Sequence, residues 1–128
     1  MTDEPTALDA LAAAVRRRAL ALPGAWEDHP WGDTVFKAGP KVFAFFGRGE
    51  AEVHLGLKLP QSFETALAMP DARPTPYGLG RHGWVSLRLR VGSEPKLDLV
   101  EEWLAESFRA TAPKRLAREL DDSSATAP

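Results

Sequence analysis

The sequence predicts an α+β fold: one two-layer domain, an antiparallel sheet of about four or more strands with helices on one face. Three observations predict it. Apolar residues recur at helical spacing near both ends of the chain, over residues 8–22 and 97–108. Between them, residues 53–59 and 84–91 alternate apolar and polar, the period of a half-buried strand. The order helix, three strands, helix, strand, helix does not alternate as βαβ units do, which points to antiparallel pairing.

The first helix starts at Thr6, a cap residue with Asp9 three positions on. Leu8, Leu11, Ala12, Val15, Ala19 and Leu22 form its apolar stripe, and Pro23-Gly24 stops it. Residues 25–33 read as a loop dense in acidic and aromatic side chains. Strands over 34–38 and 41–46 follow, joined by Gly39-Pro40. That pair suits a type II′ turn, which requires φ > 0 at its first central position. The turn pairs Ala38 with Lys41 and Phe36 with Phe43, and places Val42, Ala44 and Phe46 on the face of Lys37.

The third strand ends at Pro60, and a short helix over 62–69 offers Phe63 and Leu67 to the core. Residues 70–83, rich in Pro and Gly, read as a long ordered loop. A fourth strand spans 84–91, and Ser93 is the expected cap of the last main helix. Leu97, Val100, Trp103, Leu104 and Phe108 are that helix's apolar stripe. Pro113 interrupts it, and Leu116 and Leu120 pack a final short turn. The expected domain is residues 1–120, with a flexible polar tail at 121–128.

Length and composition narrow the function. The 128 residues are one domain, and a hydrophobic share of 44% supports a modest core. With no cysteine there is no disulfide, thiolate metal site or cysteine nucleophile. No apolar run is long enough to span a bilayer, so no membrane partner is expected. The acidic N-terminus lacks signal-peptide character, and the expected location is the cytoplasm. A net charge of −2 argues against strong non-specific nucleic-acid binding. Yet residues 34–92 carry 8 basic and 4 acidic side chains, so the sheet region is locally basic.

The three histidines lie on separate segments without ligand spacing, so no metal and no cofactor is expected. Gly78-x-Gly80-x-x-Gly83 precedes a strand rather than a helix, and so lacks the context of a dinucleotide fingerprint. No nucleophile stands beside a plausible base, and no catalytic residue is assigned.

Two candidate sites remain. If the third and fourth strands bury their aliphatic faces, the opposite face presents His54, Lys58, Trp84, Arg88 and Arg90, with Lys37 joining from the hairpin. A basic face with one aromatic can hold phosphates and stack a base; the same pattern also suits an ordinary solvated sheet face. The second candidate is a pocket between the 25–33 and 70–83 loops, formed by Trp31, Arg73, Tyr77, Arg81 and His82. Its alternative is structural, with the tryptophans plugging the core and the arginines pairing with Glu27 or Asp28.

Ordered short signatures resemble one known group, the MmcQ/YjbR family. Leu22-Pro23-Gly24, Glu27 and Pro30-Trp31-Gly32 resemble its opening, with Trp where Phe is common. Phe36-Lys37, Lys41, Phe43 and Ala44 resemble its hairpin, and Lys58 with Pro60 its K-x-P step. Pro74, Tyr77, Gly80, Gly83 and Trp84 resemble the loop into its next strand, and Ser107-Phe108 the Ser-Tyr pair of its last helix. The likeness covers residues 19–112. Gly83 separates Arg81-His82 from Trp84, where many members place a basic residue and His directly before the Trp. The resemblance implies a double-wing fold of DNA-binding type, hence DNA as partner through the basic sheet face. The alternative is a small-molecule or peptide ligand, or some enzymatic role, in the loop pocket. A protein partner at the acidic C-terminal helix is the third possibility.

Overall fold

The computed structural model describes residues 6–126, leaving aside the side chains of Trp31 and of residues 123–126. The helices are α1 (Ala7–Leu20), α2 (Phe63–Leu67), α3 (Leu97–Thr111) and α4 (Lys114–Thr126). The strands are β1 (Ala25–Asp28), β2 (Thr34–Ala38), β3 (Lys41–Arg48), β4 (Val53–Lys58), β5 (Arg73–Pro74) and β6 (Trp84–Leu89). They form one antiparallel sheet in the order β1-β2-β3-β4-β6-β5. Among the described residues, no helix is long and apolar enough to cross a membrane.

α1 begins at Thr6 with the expected reciprocal cap: Thr6 Oγ1 accepts from the Asp9 N–H, and Asp9 Oδ2 accepts from the Thr6 N–H. Its Leu8, Val15 and Ala19 join Val100, Trp103, Leu104 and Phe108 of α3 over the sheet face that carries Phe36, Leu55, Leu57, Val85, Leu87 and Leu89. Phe43 stands edge-on to Phe108, ring centroids 5.4 Å apart, inside this layer.

The structure differs from the sequence reading in five places, each for an identifiable reason. Residues 25–28 are an edge strand, because their backbone pairs with the outer side of β2 despite polar side chains. Arg73 and Pro74 form a short strand on the other edge, where proline lacks no ladder bond that the single pairing with β6 needs. The hairpin pairs Ala38 with Lys41 around Gly39 (φ +59°), but Phe36 lies opposite Ala44, not Phe43. Phe43 is the extra residue of a bulge, which turns Ala44 and Phe46 to the core and leaves Val42 with Lys37. The N-cap of α3 is Lys96 rather than Ser93, whose N–H is engaged in a turn closed on the Arg90 carbonyl. Finally, α4 continues to Thr126 beyond the short turn expected around Leu116 and Leu120, with Arg109 Nε bonded to Asp121 at 2.8 Å.

One helix residue locks the bulge. Beyond the Ala44–Leu57 pair the β3–β4 ladder opens, leaving the Phe43 carbonyl and the Lys58 N–H unpaired. The buried Ser107 hydroxyl bridges them, donating to Phe43 O at 2.5 Å and accepting from Lys58 N at 2.9 Å. One residue earlier, Glu106 accepts from the Gln61 and Ser62 N–H groups and the Ser62 hydroxyl, capping α2 from a neighbouring helix.

Candidate functional site on the outer sheet face

The sheet face away from the core is built by cross-strand register. β4 and β6 set His54 opposite Arg88, Gly56 opposite Ser86 and Lys58 opposite Trp84. β3 adds Gly47 beside His54 and Phe45 beside Gly56, and β5 adds Arg73 beside Ser86. Glycine at two of these outward positions and serine at a third remove side-chain bulk where neighbours keep it. The result is a hollow of about 420 Å³ lined by Phe45, His54, Arg73, Thr75, Ser86 and Arg88. Asp33 borders it on one side and Asp71 on the other. Thr75 and Ser86 join hydroxyls across the rim at 3.0 Å.

Carboxylates shape the electrostatics of this face. Glu52 lies 3.1 Å from His54 Nε2, 2.8 Å from Arg90 Nη2 and 3.7 Å from Arg88 Nη1. Arg90 also bonds Asp71. Lys37 pairs with Asp28 at 2.7 Å and lies over the Trp26 ring, 5.2 Å from its centroid. Among the described residues, Lys58 and Arg73 are outer-face cations with no carboxylate in ion-pair range.

The six residues expected on the basic face are thus distributed over it. His54, Arg88 and Arg90 gather around Glu52 at one end, Lys58 and Trp84 lie at the other end of the β4–β6 pair, and Lys37 sits towards β1. Trp84 is only 8% exposed, edge-on to Phe45 at 5.2 Å, so Phe45, 38% exposed, is the accessible ring of that pair.

Of the five residues expected in a loop pocket, the four whose side chains are described do not line one hollow. Arg73 lines the outer-face hollow, whereas Arg81 and His82 line a separate open hollow of about 1020 Å³ with Pro60, Phe63 and Pro74. Tyr77 projects into solvent, and the Trp31 side chain lies outside the described residues. The histidines remain apart: His29 bonds Glu27 at 2.9 Å, His54 bonds Glu52, and His82 is exposed.

Sequence reasoning missed Phe45, Gly47, Thr75, and the meaning of Gly56 and Ser86. Gly56 and Ser86 were legible as outward positions; that they stand side by side required the inter-strand register. Phe45 was hidden by the bulge, which reverses the facing of everything after it in β3.

Three carboxylates at or near this sheet titrate below their ordinary values. Glu52 is lowered by the hydrogen bond from His54, then by Arg90 and Arg88. Asp28 is lowered by Lys37 and the His29 N–H, and Asp9 by the Thr6 N–H and Arg48. A carboxylate whose folded value is depressed adds stability above its unfolded value and loses it as pH falls through the folded one. The ordinary values are 4.5 for Glu52 and 3.8 for the two aspartates. Thermal midpoints followed by circular dichroism are therefore expected to be flat from neutral pH down to about 5, and to fall below about 4.5. A midpoint level down to about pH 3 would show that these ion pairs add no stability.

A family model described as YjbR matches residues 20–110. No curated protein matches the chain.

Proposed function

The chain belongs to the YjbR family, and from that premise we propose that it is a non-catalytic binding module that takes single-stranded DNA on the outer sheet face. The observation that carries this reading is the hollow of about 420 Å³ with an exposed aromatic wall and arginines at its rim. Its size lies within the range of small-ligand pockets, about 300–1,000 Å³, and fits one nucleoside. Phe45 offers a stacking surface, while Arg73, Arg88 and Lys58 are placed to meet phosphates on either side. The dent admits an unstacked base, so a single strand suits it better than a duplex.

One observation favours a second reading, a compact small molecule with a single anionic group. Glu52, Asp71 and Asp28 already neutralise much of the positive charge that a long polyanion would use.

The test is titration of a labelled single-stranded oligothymidylate at about 50 mM salt, repeated as salt rises; log affinity is expected to fall by about 0.7 per phosphate contact for each tenfold rise in salt. Arg73→Ser is the informative variant, because Arg73 is exposed and pairs with no carboxylate among the described residues. It is expected to weaken binding about threefold, to shallow the salt slope by about 0.7, and to leave the thermal midpoint unchanged. No binding of DNA or RNA at that salt would rule out nucleic acid as the ligand. Thymidine monophosphate that still shifted the hollow's backbone resonances would then support the compact ligand.

A further inference from the structure

The loop over residues 75–83 carries a side chain that the fold does not explain. Tyr77 is 98% exposed and has φ +63°, a conformation that favours glycine or asparagine. For a large L-residue this is unfavourable by about 1–2 kcal/mol, and an exposed ring gains nothing from burial to offset it. The loop itself is well braced. The Thr75 N–H donates to Trp84 O at 3.0 Å, the Gly80 N–H to Thr75 O at 2.9 Å, and the His82 N–H to Leu79 O at 2.9 Å. Gly80 packs so closely on Pro74 that an added Cβ would come within 2.6 Å of the proline Cβ. The tip is thus a fixed scaffold presenting one aromatic ring.

The loop's own charge is basic, and Glu64 is the one carboxylate that lines the hollow beside Arg81. Residues 72–83 contain Arg73, Arg81 and His82 and no acidic side chain. Arg81 lies against Gly78, next to Tyr77: a Cβ added there would be 3.5 Å from Arg81 Nη2. Thr75 lines both the outer-face hollow and the one beside Arg81, so the two adjoin across β5.

We infer that Tyr77 and Arg81 form a second contact for the same ligand: a single strand leaving the outer-face hollow crosses Thr75, stacks a base on Tyr77 and sets a phosphate on Arg81. This rests on the outer-face reading above and extends it. It makes the occupant a polymer of several nucleotides rather than one nucleotide, and it uses an aromatic platform with adjacent cations, the chemistry that holds single strands without sequence preference.

The experiment compares an oligothymidylate of about eight nucleotides with thymidine monophosphate, on the wild type, Tyr77→Asn and Arg81→Ser. Asparagine accepts positive φ, so Tyr77→Asn preserves the loop, which its thermal midpoint checks. Tyr77→Asn is expected to weaken the oligonucleotide about tenfold and to leave the mononucleotide unchanged, since that fills only the hollow. Arg81→Ser is expected to weaken the oligonucleotide about threefold and to shallow its salt slope. Full oligonucleotide affinity in both variants, with loss in Arg73→Ser, overturns the second contact and leaves the outer-face reading standing. No oligonucleotide binding by the wild type overturns both. An acidic peptide that displaces the oligonucleotide from Tyr77 without disturbing the hollow would assign the tip to a protein partner instead.

Discussion

Replacing Ser107 with alanine is expected to destabilise the domain by about 3 kcal/mol, because a buried carbonyl and a part-buried N–H lose the hydroxyl that bridges them. The hydroxyl spans the gap opened by the Phe43 bulge, and the residue is fully buried. Alanine leaves the Phe43 carbonyl and the Lys58 N–H desolvated and unpaired, at about 1–3 kcal/mol each, and adds almost no compensating burial. Water can relieve part of this only if the site opens. For a domain of this size the thermal midpoint should fall by about 10 °C. Urea unfolding checks the free energy directly; a loss under about 1 kcal/mol would mean that the bulge does not depend on the helix. Lys58 belongs to the outer face, so oligonucleotide affinity should fall as well, even though Ser107 is on the core side.

The second large effect is a gain. Glu52→Gln removes the carboxylate shared by His54, Arg88 and Arg90 while keeping the side chain's shape. Arg88 is then available to an anion and Arg90 keeps only Asp71, so single-stranded DNA is expected to bind about tenfold more tightly at about 50 mM salt, with a steeper salt slope. Stability should fall at neutral pH, where the wild-type carboxylate is ionised, and approach the wild type only as pH falls through the lowered folded value of Glu52, where both lack the charge. Anisotropy titrations of wild type and variant settle it. Unchanged or weaker binding would mean that phosphates do not reach the cations around Glu52, and the ligand would have to lie nearer Lys58 and Arg73. Charge reversal at Arg88 or Arg90 is less informative, since it would place another negative charge against Glu52 and confound binding with folding.

The expectations that held on the fold are those set by local pattern. The Thr6–Asp9 cap, the positive-φ glycine of the Gly39-Pro40 turn and the alternation of β4 and β6 each depend on residues within a few positions of one another. The edge strands had no such signal. Ala25–Asp28 is polar and short, and Arg73–Pro74 contains a proline; both are strands because a neighbour offers an unpaired ladder. The bulge at Phe43 was equally silent. It exists where the hydroxyl of Ser107, 64 positions away, can satisfy the groups it exposes.

The candidate site shows the same division. His54, Lys58, Arg88 and Arg90 were assigned to the outward side of their strands from alternation alone. What the sequence could not supply was the company they keep. Glu52 reaches His54, Arg88 and Arg90 from the strand entry, and Phe45 is the exposed ring of its pair with Trp84.

By itself, the sequence determined the α+β class, the antiparallel sheet and the side of the strands on which the cations lie, because caps, turns and period-two alternation are properties of neighbouring residues. Only the tertiary structure decided which cations remain unpaired and where the face is hollow. Both depend on strand register and on carboxylates from distant segments, and the free energy that fixes register is spread over the whole packed core.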